Sequence, residues 1–404
     1  MDHHEPATDP GAEPRQDSER VAEPRSRRAR VIAAIKSASG NVLLLLGSLL
    51  FTLILAEVAI RMVSPQQLIV IRGDVWMPVD TLGWKLRPNI DTRMNTGERE
   101  VRLLTDAEGF RVGERGRREA PDSILLIGDS FMEALQVEHE QSFAGLLEDS
   151  LAGPEGEGVT VRNTAVGSWD PPHYRLMAKR RLAEHRYDLV LVAVFVGNDL
   201  VLRTNDYFPP RPAAERARLS IPLSLSPRAW IEGVARPIND FLEVRSHLYV
   251  FIKSRTEPLR IRLGLTAGYM PRGVLKERAD SAEWTITADL LEEIATAAAA
   301  RDVPTLYVLI PERYKVDLDL FDAHVAAFGL DPTMVDLEQP NRLLYDELTA
   351  RGLDVIDALP PFREVYAAGE RPLYGSVDPH FSPEGHAALL RLLRPRLEEV
   401  LWGG

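Results

Sequence analysis

The chain has no cysteine. Disulfides, cysteine nucleophiles and thiolate metal sites are excluded, though the compartment is not identified by that absence. Positive charge is also short. Lys and Arg number 48 against 60 Asp and Glu, a formal net charge of −12. No global basic field would draw nucleic acid, so no nucleic-acid partner is expected. Several signatures are missing too: a G-x-x-x-x-G-K-[ST] loop, a Rossmann glycine triplet, an H-E-x-x-H pair and a G-x-S-x-G elbow. His139, His173, His185, His247 and His324 share no ligand spacing and read as surface or loop residues. His3 and His4 are an incidental pair in a polar tail. No metal or cofactor is called for.

Long apolar runs are scarce, with one exception. Asn41 to Ile60, "NVLLLLGSLLFTLILAEVAI", carries a single charge, Glu57. About 19 residues at roughly 1.5 Å each approach the thickness of a bilayer core. A buried soluble helix is the plainer alternative, disfavoured because the run is apolar on every side, and a cleaved signal peptide is disfavoured because no clear A-x-A site follows the run. Arg20, Arg25, Arg27, Arg28, Arg30 and Lys36 precede it, whereas Arg61, Arg72, Asp74 and Asp80 follow it. The positive-inside rule then sets the N-terminus in the cytoplasm and the C-terminal bulk in the periplasm or outside. Glu57, near the outer end, is expected to reach headgroups or water.

What remains is ordinary globular material: 45% of the 404 residues are hydrophobic and 27% charged. Residues 1–36 read as a disordered cytoplasmic tail and 41–61 as a signal-anchor helix. Residues 62–120 alternate apolar and polar positions between Gly, Pro and Asn, the pattern of a small β-rich platform in which Trp84 and Phe110 pack. From Ser123 onward short apolar runs alternate with helical patterns. Strands are expected at 124–127, in "VTVRNTAVG", in "YDLVLVAVFVGND", in "TLYVLI" and in "LDVIDAL", with a last helix from Pro383. Continuous apolar strands alternating with helices predict an α/β fold, a three-layer α/β/α sandwich around a parallel sheet over residues 121–404. An insertion at about 201–281 is too long for an ordinary connection: a lid beside the site, or an appendage facing the membrane or a partner.

In such sheets ligands bind beyond the carboxyl ends of the strands. Three strands end in Gly128-Asp129-Ser130, in Gly167 and in Gly197-Asn198-Asp199, and "SVDPHFSPEGH" brings Asp378 and His380 ahead of the last helix. Acyl transfer needs a serine, a base to take its proton and donors for the oxyanion. Ser130 could be the nucleophile, His380 the base, and Asp378 the group that holds the imidazole. The oxyanion donors would be the Ser130 amide at a helix start, the Gly167 amide and the Asn198 side chain. Taken singly, each has a plainer explanation: a helix cap, a turn glycine, a strand-ending turn, a polar loop. Together, in order, they specify a site. Asp129 is expected to support the turn, Ser382 to cap the last helix, and His386 to be structural.

The order Gly-Asp-Ser, Gly, Gly-Asn-Asp, Asp-x-His resembles the SGNH (GDSL) hydrolases over residues 121–400, less the insertion. Ser130, Gly167, Asn198 and His380 match the four residues that name the family, with Asp378 as the acid. Many members place the Asp three residues before the His. Here position 377 is Val, and the shorter spacing resembles the branch that modifies bacterial surface polysaccharides. The lead-in "LGWKLRPN … EGFR" after an anchor is similar to membrane-tethered bacterial members. The resemblance implies a membrane-anchored serine esterase that removes O-acyl groups, such as acetyl, from a cell-surface glycan, alongside envelope polysaccharide-modifying partners. An O-acyltransferase with the same triad and an inactive glycan-binding scaffold are the alternatives.

Overall fold

The computed structural model describes residues 27–66, 72–97, 99–116, 120–151, 156, 158–200, 236–262, 272–328, 330–369 and 372–403. The chain divides into two compact units, residues 1–56 and 57–404. Helix α1 (Arg27–Val63) carries the apolar run. Its Ser39–Val63 segment, 25 residues with a mean hydropathy of 2.5, is long and apolar enough to cross a membrane. Most of the expected tail lies outside the described residues. Residues 27–36 differ from that expectation and form the first turns of α1, because "RRARVIAAIK" is rich in helix formers and runs into the apolar segment without a breaker.

The second unit begins with two small antiparallel sheets. Strands β1 (Trp76–Val79) and β2 (Gly83–Leu86) form a hairpin. Strands β3 (Asp91–Asn95), β4 (Glu100–Thr105) and β5 (Arg111–Val112) form a three-stranded meander. Trp76, Trp84, Leu86, Met94, Leu103 and Phe110 are buried in one cluster with one face of the main sheet.

That sheet contains β6 (Asp122–Ile127), β7 (Val159–Asn163), β8 (Leu189–Phe195), β9 (Thr305–Ile310) and β10 (Val355–Asp357) in the order β10-β9-β8-β6-β7, all parallel. All five lie where the sequence pattern predicts strands. The two-residue period of a strand divides its side chains between two cores. Leu125, Ile127, Val190, Val192 and Leu309 pack against helices α4 (Pro171–Glu184), α7 (Glu283–Ala299) and α10 (Gln339–Ala350). Ile124, Leu126, Leu191, Val308 and Ile310 pack against α3 (Phe143–Ser150), α11 (Leu359–Ala367) and α12 (Pro383–Trp402). The result is a three-layer α/β/α sandwich. Helix α11 and the short pair α8 (Arg313–Val316) and α9 (Leu318–Phe328) are additions that the sequence reading did not contain.

Of the insertion, residues 201–235 and 263–271 lie outside the described residues. The part between them forms α5 (Arg236–Glu243) and α6 (His247–Arg262). Here Glu57 departs from expectation. Its carboxylate accepts from the Ser246 hydroxyl (2.7 Å) and from the His247 (3.0 Å) and Leu248 (2.9 Å) amides, and it pairs with Arg61 (2.7 Å). The first amides of a helix have no intrahelical acceptor, so a nearby carboxylate is drawn to them.

Arg111 is the most consequential polar residue of the platform. It is 3% exposed, and its guanidinium donates to the carbonyls of Glu133 (2.9 Å), Ala134 and Val137 (2.7 Å). The Glu133 carbonyl ends α2 (Ser130–Glu133), the single helical turn that follows β6, and those of Ala134 and Val137 lie in the chain just after it. Arg111→Ala would strand all three and leave a cavity. It should cost about 3 kcal/mol of stability, seen as a lowered urea midpoint of the detergent-solubilised chain.

Candidate active site

Because β6, β7 and β8 are parallel neighbours, their carboxyl ends open on one edge of the sheet, with β6 between the other two. Ser130 follows β6, Gly167 follows β7 and Asn198 follows β8. The parallel pairing thus sends three of the expected residues to the same edge of the sheet.

The turn under Ser130 is built by Asp129. Its side chain caps α2 by accepting from the Phe131 amide (3.0 Å), and it lies 3.4 Å from the Ser130 hydroxyl. Asp129 is 1% exposed, and burial raises its pKa. It supports the turn, as expected. The helix it caps is one turn long, so the serine amide gains an orphan-donor position but little macrodipole.

His380 and Asp378 arrive from the far end of the chain. Their loop is closed by an antiparallel bridge between Tyr374 and Phe381 and by the Gly375 amide donating to the His380 carbonyl (2.9 Å). Arg313 donates to the Gly375 carbonyl (2.8 Å), and Ser382 with Pro383 starts α12 directly after. The His380 ring packs on Phe131, with centroids 4.8 Å apart. Its Nε2 lies 2.7 Å from Ser130 Oγ, and its Nδ1 bonds Asp378 Oδ1. Asp378 also accepts from the His380 amide (3.1 Å) and from Gln136 Nε2 (3.1 Å). Alcohol, imidazole and carboxylate therefore form one hydrogen-bonded line, partly open to solvent. Such a line can move a proton from the hydroxyl to Nε2 while the carboxylate stabilises the resulting imidazolium.

The electrostatics agree with the line. Burial alone would lower the His380 pKa, but the charge and hydrogen bond of Asp378, aided by Asp129 and Glu133, carry it above its ordinary value. Burial would raise Asp378, but His380 and Gln136 hold it below the usual carboxylate range.

The oxyanion side is less simple than expected. The Gly167 amide already donates to Glu133 Oε2 (3.0 Å), and the Gly167 carbonyl accepts from Trp84 Nε1 (2.9 Å). A Cβ at Gly167 would lie 2.8 Å from that Glu133 oxygen and 3.7 Å from Ser130 Cβ, so any side chain there would have to displace the carboxyl. Asn198 sits in the turn after β8, its amide donating to the Phe195 carbonyl (3.2 Å), and its side-chain oxygen is buried with no hydrogen-bond partner. Asp199 beside it is fully buried and bonds Tyr174 and the Phe195 amide (both 2.9 Å), which fixes the turn.

Sequence reasoning missed Glu133, Gln136, Trp76, Trp84 and Arg313 as supports of the site. The available signal for Glu133 was a lone acid within the apolar "SFMEAL" stretch. Three histidines were also misjudged: His139, His173 and His324 are buried, not surface residues. His173 bonds Asp170 and stacks on Trp169, and His324 bonds the Leu320 carbonyl, so their polar atoms are satisfied locally while the rings pack. His386, inside α12, is buried as anticipated.

No family model matches the chain, and no curated protein does. Solved structures similar to it include a lipolytic protein of the G-D-S-L family from Veillonella parvula, at 10% identity over 67% of this chain and 95% of that one, TM-score 0.35. A catalytic mutant of Axe2, an acetylxylan esterase from Geobacillus stearothermophilus, is similar at 12% identity over 70% of this chain and 96% of that one, TM-score 0.37. At such distance the function has to come from this chain's own residues. Sheet order, strand-end blocks and the loop before the last helix together define a parallel α/β/α sandwich with a Ser-His-Asp line at the carboxyl edge of its sheet.

The electrostatic coupling can be read directly. Asp378→Asn removes the anion that opposes burial, so the His380 imidazole should titrate at a lower pH than in the wild type, followed by NMR of the ring.

Proposed function

We propose that this protein is a membrane-anchored serine esterase that removes O-acyl groups, acetyl foremost, from a glycan outside the cytoplasm. One observation carries the reading: the 2.7 Å approach of His380 Nε2 to Ser130 Oγ, with Asp378 on the other ring nitrogen. The ester class follows from what this line can do, and the glycan from the resemblance to polysaccharide-modifying SGNH members. The anchor is supported by the length and hydropathy of Ser39–Val63, and its orientation by the basic residues ahead of the apolar run.

In the first half-reaction, Ser130 Oγ attacks the acyl carbon as its proton passes to His380 Nε2. The carbonyl π electrons move to oxygen, and the oxyanion meets the Ser130 amide and the Asn198 side-chain amide, with the Gly167 amide shared with Glu133. The C–O bond to the sugar then breaks, and the sugar oxygen takes the proton from His380. An acyl-serine remains. In the second half, water attacks that carbon, His380 takes its proton, and the proton returns to Ser130 Oγ as the carboxylic acid leaves. Asp378 stays ionised and holds the imidazole throughout.

The detergent-solubilised chain should release p-nitrophenol from its acetate ester and acetate from acetylated xylo-oligosaccharides, measured by absorbance and by acid release. Ser130→Ala should reduce both to background with the fold unchanged; equal rates in the two proteins would end the esterase reading. Asn198→Ala should lower kcat about 100-fold through loss of one oxyanion donor. On the acid side, activity should fall as His380 gains its proton, because imidazolium cannot accept another. Since its pKa is raised, this loss should begin above the ordinary histidine value of 6.5. For topology, a reporter enzyme active only outside the cytoplasm, fused after residue 404, should be active.

A further inference from the structure

Glu133 is a buried carboxyl for which the proposed cycle has no use, yet it sits in the middle of the site. It ends the single turn that Ser130 begins, and it is 2% exposed. One oxygen accepts from the Gly167 amide (3.0 Å), and the other from Trp76 Nε1 (3.1 Å). A Cβ at Gly167 would touch the Glu133 carboxyl and come within van der Waals reach of Ser130 Cβ. The carboxyl and the nucleophile thus border the same side of that glycine. An ionised carboxylate there would bind the amide tightly and set a negative charge beside a developing oxyanion. In its neutral form the same group still fixes the loop but competes weakly for the amide and does not repel the oxyanion.

We propose that Glu133 is the positioning residue of the oxyanion pocket: its carboxyl holds the Gly167 loop, and ester hydrolysis requires it in the neutral, protonated form. The proposal rests on the serine-esterase reading and adds a regulator to that site. The proton comes from solvent and is not consumed in the cycle.

The surroundings favour the neutral form. Burial pushes the Glu133 pKa up to about 7, and neighbouring Asp129 adds to the rise; hydrogen bonds from Trp76 and Gly167 and the charge of Arg111 work against it. Arg111, on β5, is committed to the carbonyls of Glu133, Ala134 and Val137 and does not bond the carboxyl. His380, whose own pKa an ionised Glu133 raises, is electrostatically coupled to it, and His380 in turn engages Asp378. Two groups therefore set two limbs. His380 must be unprotonated, and Glu133 must be protonated.

The test is the pH profile of kcat for p-nitrophenyl acetate, from pH 5 to 9, on the full chain in detergent. The wild type should show a bell whose alkaline limb falls near 7, the value to which burial carries Glu133. Glu133→Gln keeps an acceptor for the Gly167 amide and cannot ionise. In this variant the alkaline limb should vanish, and the acid limb should move to lower pH because His380 loses a nearby anion. A merely structural role would leave the alkaline limb in place. Glu133→Ala, which frees the loop, should lower the maximal kcat about 100-fold, the loss expected for one oxyanion donor, and should likewise show no alkaline limb. A wild-type profile without an alkaline limb, or a limb that survives Glu133→Gln, overturns the proposal. Should the glutamine variant fold poorly, carboxyl carbon-13 NMR of glutamate-labelled wild type decides instead. A carboxyl titrating near 7 and assigned to Glu133 supports the proposal, and a Glu133 that titrates at the ordinary 4.5 overturns it. Failure of the esterase reading looks different: no turnover at any pH, with the titration intact.

Discussion

The parallel pairing of β6 with β7 on one side and β8 on the other is the constraint from which the site follows. In a parallel sheet every strand delivers its carboxyl end to the same edge, so residues that follow neighbouring strands must meet. Leu126 pairs with Asn163 and with Leu191, which aligns the ends that lead to Ser130, Gly167 and Asn198. The helices on both faces make this pairing durable by burying the alternating side chains. Only the imidazole and its carboxylate come from elsewhere, on a loop closed by its own bridge at Tyr374 and Phe381.

The platform ahead of the sheet turns out to be a brace for this edge. Trp76 and Trp84 reach the site with their indole N–H groups, one on Glu133 and one on the Gly167 carbonyl, and Arg111 ties down the carbonyls behind the nucleophile turn. Each of these bonds joins a residue before Ser123 to the site itself. The strand-end arrangement would exist without them. What they add is hydrogen bonds that fix two points, the serine turn and the glycine loop. The same packing buries the Glu133 carboxyl beside the glycine.

Much of the layout was legible in the linear order of residues. Five apolar runs read as five strands because a strand covered on both faces has no polar side to show. The last helix was legible through the capping hydroxyl of Ser382 and the proline after it. Legibility failed where tertiary packing overrode local character. "LPPFREVYA" begins with prolines and was absorbed into a strand reading, although proline is tolerated in the first turn of a helix and Phe362 is 1% exposed. His173 looked like one charge among many on a polar segment, yet a buried aspartate and two tryptophan rings surround it.

By itself, the sequence determined the alternation of strands and helices, the apolar segment ahead of them, and the residue types able to carry acyl-transfer chemistry. These are local properties, written in side-chain periodicity and in motifs of a few residues. Only the tertiary structure decided that Ser130 and His380, 250 positions apart, come to hydrogen-bonding distance. It alone decided that Glu57 meets the start of α6 and that the Gly167 amide is already engaged by Glu133. Contacts of that kind depend on the relative placement of whole layers, which no short window of the chain encodes.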